Sequence, residues 1–391
     1  MTKSVPEKSL DEELAELKDV ENKLWNISDK LYFNITQYIE PVNHTSEKQK
    51  FFEHLAKGQE YNPKYSYLPK NPIFSHLTLN PEYARIMKEL DSIEVERRGI
   101  GALIHKRVRM LKTRMEFIRS IGSQDLPAKS VELYGLPDKS LVKYAIRMLE
   151  KEVPPSKPEL TSEEMVAFLE SELAKRKIEW QVLLEENLSA KVVVLSYQRL
   201  MKVREDAMFT KKDKARLLLH EVETHVYRYL NGTQQPFKMF VSGTGKDWEM
   251  TEEGLATFNE ELFGMLNQNQ MRVYAGRVLA VHYASSHSFY ETFILLREFF
   301  DKETAFELTK RVKRGLHDTS IPGGFTKDYY YLAGNLAVKE QVKSLKDLRL
   351  LYCGKIALSD LEHIKQLSFL KRPRYLPNYK KAKKLKSFFA R

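Results

Sequence analysis

Residues 209–232 read FTKKDKARLLLHEVETHVYRYLNG, and this stretch predicts a single helix over residues 210–230. Thr210 stands where an N-cap is wanted, Asp213 follows three residues on, and Asn231-Gly232 supplies a stop. Inside it lies His220-Glu221-Val222-Glu223-Thr224-His225, an H-E-x-x-x-H pattern. In a regular α-helix five residues turn about 500°, leaving two imidazoles about 140° apart, whereas the four-residue spacing of H-E-x-x-H brings them within about 40°. A π-type widening absorbs one residue and restores a common face, and such widenings gather at functional sites. One is therefore expected between His220 and His225. The run Leu217-Leu218-Leu219 just before them makes the stretch apolar and buried, and buried ionisable groups need partners such as a metal.

A catalytic zinc site takes three protein ligands and keeps one position open. With His220 and His225 as two ligands, the third is sought downstream in Thr251-Glu252-Glu253-Gly254-Leu255-Ala256, where two adjacent carboxylates leave the choice open. Glu221, next to a ligand, is placed to take a proton from the activated water and return it to the leaving amine. Read alone, the hexapeptide also suits a solvated charged face; its apolar approach argues against that.

Outward from this helix most of the chain reads as α-helical. Leu14, Leu17, Val20, Leu24, Ile27 and Leu31 recur at helical spacing, ending near Pro41. Asn62-Pro63-Lys64-Tyr65-Ser66-Tyr67-Leu68-Pro69 reads as an extended connection, and helices resume at about residue 82. Pro154-Pro155-Ser156-Lys157-Pro158 punctuates the chain before a Thr161-x-x-Glu164 capping box. Ala190-Lys191-Val192-Val193-Val194-Leu195 is the clearest strand. The fold class expected is mainly α with a small β-sheet (α+β), zinc metallopeptidase-like, divided into a helical extension (1–60), a metallopeptidase domain (61–360) and a basic tail (361–391).

The chain of 391 residues carries 64 Lys+Arg against 53 Asp+Glu, a formal +11, with 42% hydrophobic and 30% charged residues. That composition excludes a wholly disordered or collagenous chain and is large enough for a core that needs no disulfide. The single Cys353, the absence of a signal-like N-terminus and the lack of any long apolar run together predict a cytoplasmic location with no transmembrane segment. Nine of the eleven excess charges fall in residues 371–391, leaving +2 for the rest. The tail reads as a solvated terminus or as a docking arm for an acidic partner, with Tyr375, Tyr379, Phe388 and Phe389 interleaved among its cations. Nucleic acid is the disfavoured choice of partner.

Taken in order, His220-Glu221-x-x-x-His225, Asn231-Gly232-x-x-Gln235-Pro236 and Glu252-Glu253-Gly254-Leu255-Ala256 resemble the tyrosine/phenylalanine carboxypeptidase family. Its bacterial members carry Gln-Glu-Gly-Leu-Ala; its animal members include microtubule-associated enzymes. The resemblance extends from Asn62-Pro63-x-Tyr65-x-Tyr67 to Arg314-Gly315-Leu316, Gly323-Gly324-Phe325-Thr326-Lys327-Asp328 and Tyr331-Leu332-x-Gly334, roughly residues 60–345. It implies a mostly helical enzyme that uses one zinc ion to remove a C-terminal Tyr or Phe, the animal members acting on the tubulin tail. By motif register it makes His220, His225 and Glu253 the ligands and Glu221 the catalytic carboxylate, although Glu at 252 replaces the bacterial Gln and keeps that residue in view. Lys327, Arg311 and Arg314 become candidates for holding the substrate's terminal carboxylate. Tyr331 becomes a candidate hydrogen-bond donor to the developing oxyanion. His282 and His287 lack an adjacent Glu and read as structural or as outer partners of the ligands. The alternatives are a non-catalytic protein that keeps the zinc fold and docks an acidic partner, and a zinc aminopeptidase or endopeptidase.

Overall fold

The computed structural model describes residues 10–31, 35–67, 81–151, 153, 157–186, 188 and 190–390. These residues form a mainly helical architecture with one three-stranded sheet. The expected strand is present as β2 (Val192–Leu195); its partners β1 (Gln181–Glu185) and β3 (Leu200–Arg204) were not expected from the sequence. The order is β1-β3-β2, with β1 parallel to β3 and β2 antiparallel to it in the register Val192↔Val203 to Leu195↔Leu200. A left-handed Arg199 (φ 49°) turns β2 back into β3. β3 alternates in burial, turning Met201 and Val203 inward, as a half-buried strand should.

The Thr161 capping box forms and starts the helix Ser162–Lys175. The prolines at 69, 72, 154 and 155 lie outside the described residues. Near the N-terminus the apolar spacing gives a helix Leu10–Leu31 and a shorter one, Ile35–Ile39. Leu24, Ile27, Ile35 and Ile39 join the same buried cluster that runs on to Ala382.

Two motifs some 250 residues apart in the chain prove to be partners. Tyr65 N–H donates to the His317 carbonyl (3.0 Å), Gly315 N–H donates to the Tyr67 hydroxyl (2.8 Å), and that hydroxyl donates to the Leu316 carbonyl (2.8 Å). Gly324 lets the following loop fold against the end of the helix Lys302–Lys313: a Cβ there would lie 2.1 Å from the Val312 carbonyl oxygen. This packing fixes Thr326–Tyr329, a 3₁₀ turn, and then the helix Tyr330–Gln341.

Lys313 ties the same loop from inside. It is fully buried, and its Nζ donates to the carbonyls of His287 (2.5 Å) and Ile321 (2.7 Å). Burial pushes its ammonium down to about 7. An unfolded lysine titrates near 10.4, so above about pH 7 the unfolded chain binds the extra proton and stability rises with pH, by at most about 1.4 kcal/mol per unit. Urea unfolding between about pH 7 and 9 is expected to show that slope, and Lys313→Met to remove it. An unchanged slope in the variant would refute the assignment.

The basic terminus is not the solvated arm the sequence suggested. Its aromatic residues bind it to the body: Tyr379 is buried with its hydroxyl on Asn259 Oδ1 (3.2 Å), Phe388 packs edge-on to Phe258, and Tyr375 exchanges hydrogen bonds with the Asn231 amide. Lys380, Lys381, Lys383, Lys384 and Lys386 face outward on this anchored strip. Among the described residues no helix is long and apolar enough to cross a membrane.

Candidate metal centre

The helix starting at Lys211 begins with a capping box, Thr210 and Asp213 each bonding the other's backbone N–H. It passes into a π-helical stretch, Leu218–Val226, and returns to α geometry over Tyr227–Gly232. The widening is longer than the single bulge the spacing demands. The Thr224 hydroxyl donates to the Leu219 carbonyl five residues back (2.9 Å), capping a backbone oxygen inside the widened turn. His220 and His225 consequently share a face, with ring centroids 4.9 Å apart and planes at 80°.

The opposing helix, Trp248–Leu262, crosses Tyr330–Gln341 at two glycines. A Cβ on Gly254 would lie 2.3 Å from the Gly334 carbonyl carbon, so the backbones touch and no side chain separates them. This close crossing carries Glu253 to the histidines. Its Oε2 stands 3.8 Å from His220 Nε2 and 3.9 Å from His225 Nε2, and this buried oxygen has no hydrogen-bond partner. One ligand atom from each of the three residues falls within 4.8 Å of the others.

The two Nδ1 atoms face carboxylates from the same helix. His220 Nδ1 is 2.8 Å from Glu260 Oε1, and His225 Nδ1 is 3.0 Å from Glu252 Oε1. Such carboxylate–histidine pairs fix the tautomer and direct Nε2 at an ion. Glu252's other oxygen accepts from the Arg228 guanidinium. Burial opposes charge throughout, yet Arg228, Lys355 and His225 hold Glu252 down at about 2, and His220, His225 and Lys327 do the same for Glu253. Burial likewise opposes a charged His220, but Glu221, Glu253 and Glu260 push it up to about 10. Burial raises Glu221, partly offset by the two histidines. Two imidazoles and an orphaned buried carboxylate oxygen, braced from behind, suit a zinc ion.

These groups open into a cavity of about 380 Å³. Glu221, Tyr331, Lys327, Arg311 and Arg314 all line it, so the structure gathers every residue the sequence suggested for the site. The three candidate cations among them are each paired with a carboxylate. Arg311 Nε donates to Asp328 (2.5 Å), Arg314 pairs with Glu40 and Asp328, and Lys327 Nζ reaches Glu249 (2.8 Å). The ring of Tyr331 stacks on Tyr274 at 5.3 Å, and the Arg277 guanidinium lies 4.1 Å from it and 5.5 Å from the Tyr274 ring. His282 and His287 do not line the cavity: His282 is exposed, and His287 Nδ1 sits on the Tyr283 carbonyl. The outer partners are Glu252 and Glu260 instead.

Sequence reasoning passed over Glu260, Glu249, Arg228, Lys355, Arg107 and Arg114. Glu260 was findable, since seven residues are two turns and put it on the face of Glu253. The cavity's apolar wall comes from Trp25, Ile35 and Ile39, from Met110 and Leu111, and from the edge strand β2.

A family model described as microtubule-associated tyrosine carboxypeptidase matches residues 49–391. The rat protein named microtubule-associated tyrosine carboxypeptidase 1 is 31% identical over 174 residues, 42% of this chain and 36% of the relative. Its human counterpart is 30% identical over 158 residues, 38% of this chain and 32% of the relative. The mouse protein MATCAP2 is 33% identical over 157 residues, 39% and 30% of the two chains. The chain thus spans about a third of the length of these curated relatives. Trp25, Ile35 and Ile39 lie upstream of the family match.

Proposed function

The chain belongs to the microtubule-associated tyrosine carboxypeptidase family, and from that premise we propose that it is a zinc-dependent carboxypeptidase releasing a C-terminal aromatic residue. The observation that carries this reading is the convergence of His220 Nε2, His225 Nε2 and the unpartnered Glu253 Oε2 in one cavity. These three residues would hold a single zinc ion, with Glu252 and Glu260 orienting the imidazoles. When bound, the ion would supply Lewis-acid polarisation of the scissile carbonyl and activation of water.

The rest falls to the chain's own side chains. Glu221, lining the cavity beside His220, takes a proton and delivers it to the departing amine. Tyr331, pinned in orientation by its two neighbours, offers its hydroxyl to the developing oxyanion. The apolar wall accepts an aromatic side chain and excludes water from it.

Chelation and zinc restoration, with matched Tyr-ended peptides, test this. Activity should vanish and return with zinc, survive N-acetylation, and fail on C-terminal amides. Cleavage that persists after complete metal removal overturns the metal reading; equal cleavage of amides makes the protein an endopeptidase, and loss on N-acetylation an aminopeptidase. A protein that takes up no zinc and cleaves nothing would be the non-catalytic alternative. Glu260→Gln and Glu252→Gln should each weaken zinc roughly ten- to hundredfold in chelator competition, because each imidazole loses its brace. Wild-type affinity in both variants would refute the bracing role.

A further inference from the structure

The carboxypeptidase reading requires a cation for the substrate's terminal carboxylate, and resting on that reading we propose that this anchor is Arg107. The three cations singled out by motif are already matched to internal carboxylates, as described above. Of the remaining cations lining the cavity, Arg114 is bonded to Glu249 (2.9 Å), and Lys355 is held by Ser196 Oγ (3.3 Å), above the Trp248 ring and 4.0 Å from Glu252. Arg107 differs from all of them in having no carboxylate in ion-pair contact. It is 1% exposed, its Nη1 donates to the Gly243 carbonyl (2.9 Å), and its buried Nε, like that of Arg114, has no hydrogen-bond partner. Among the described residues no carboxylate forms an ion pair with it. Glu21, also buried, exerts a field on it without reaching contact distance.

A desolvated guanidinium with no carboxylate in contact is unfavourable in the resting protein and well matched to an incoming anion. Its planar fork suits a carboxylate in particular, which can accept two parallel N–H bonds. The helix Gly99–Ser120 presents it deliberately: Arg107, Met110, Leu111 and Arg114 all line the cavity at i, i+3, i+4 and i+7, one stripe of the helix. Arg107 thus stands beside an apolar surface, and the Trp25 and Tyr197 rings, 5.8 Å apart, line the same cavity. A C-terminal aromatic residue carries its carboxylate and its ring on one Cα. A cation set next to an aromatic and aliphatic wall meets both demands of such a residue at once.

The test compares wild type, Arg107→Gln, Arg107→Lys and Lys327→Gln on peptides ending in Tyr as free acid and as amide. Arg107→Gln should raise KM for the acid roughly ten- to hundredfold, with a smaller change in kcat, and largely abolish the preference for acid over amide. Arg107→Lys should fall between, keeping the charge and losing the fork. Binding of phenylalanine and of its amide, phenylalaninamide, measured by calorimetry, reads the same contact without turnover: wild type should prefer phenylalanine and Arg107→Gln should not. If the wild type hydrolyses nothing, the carboxypeptidase reading fails while the calorimetric comparison still decides the carboxylate site. A folded Arg107→Gln that retains KM and the acid preference overturns the proposal, as does collapse of that preference in Lys327→Gln alone. Should Arg107→Gln not fold, Arg107→Lys with wild-type KM and wild-type phenylalanine binding overturns it equally.

Discussion

Glu221→Gln is expected to retain stoichiometric zinc and lose two to four orders of magnitude in kcat, the usual range for removing a general acid–base group. The two properties separate because Glu221 belongs to the cavity wall and not to the set of atoms that would hold the ion. That set comprises His220 Nε2, His225 Nε2 and Glu253 Oε2. Gln keeps the shape of Glu and forfeits its negative charge together with its ability to take a proton. Single-turnover hydrolysis of a Tyr-ended peptide, alongside metal analysis of the same preparation, measures both. A variant turning over at the wild-type rate would remove Glu221 from the mechanism; loss of zinc would mean that its role is to hold the site together.

Arg228→Met should destabilise the protein by about 3–5 kcal/mol, the cost of stripping one partner from a buried ion pair. Arg228 is fully buried, and its Nε donates to the Leu351 (2.9 Å) and Gly354 (3.0 Å) carbonyls, its Nη2 to Ile356 (2.8 Å) and its Nη1 to Glu252. Met fills much of the volume and satisfies none of these acceptors. Glu252 then keeps a buried charge with only His225 in contact and Lys355 at 4.0 Å, so its hold on the imidazole also weakens. Denaturant unfolding of the metal-free protein isolates the stability term. A loss under about 1 kcal/mol would show that the surrounding carbonyls find water or other donors.

How much of this was readable beforehand follows from the range of the interactions involved. The widened helix was legible because a five-residue histidine spacing has one local remedy. Local signals also gave the capping boxes at Thr161 and Thr210. The choice between Glu252 and Glu253 was open to residue-level reading because adjacent carboxylates look alike until Arg228 and the His225 ring claim the first of them. β1 escaped because the adjacent Leu183 and Leu184 break the apolar alternation, and β3 because an alternation only five residues long is a weak local signal; each becomes a strand by pairing. The suggested carboxylate anchors failed to stand out from their neighbours for a related reason: a cation's availability depends on where its counter-ions lie. Arg314 meets Glu40 and Lys327 meets Glu249 across hundreds or tens of residues. The terminal cations misled in the opposite direction, since charge density suggested a free arm while four aromatic residues were there to fasten it.

The cavity wall contributed by Trp25, Ile35 and Ile39 stands far in sequence from the candidate ligands it faces. The groups assigned to chemistry sit between His220 and Tyr331, whereas part of the surface that would greet the departing residue is supplied by a stretch ahead of the family's shared portion. Part of the cavity wall is therefore written in a different passage of the chain from the candidate ligands. A substitution at Trp25, Ile35 or Ile39 can thus reshape the cavity without touching any of the groups proposed for chemistry.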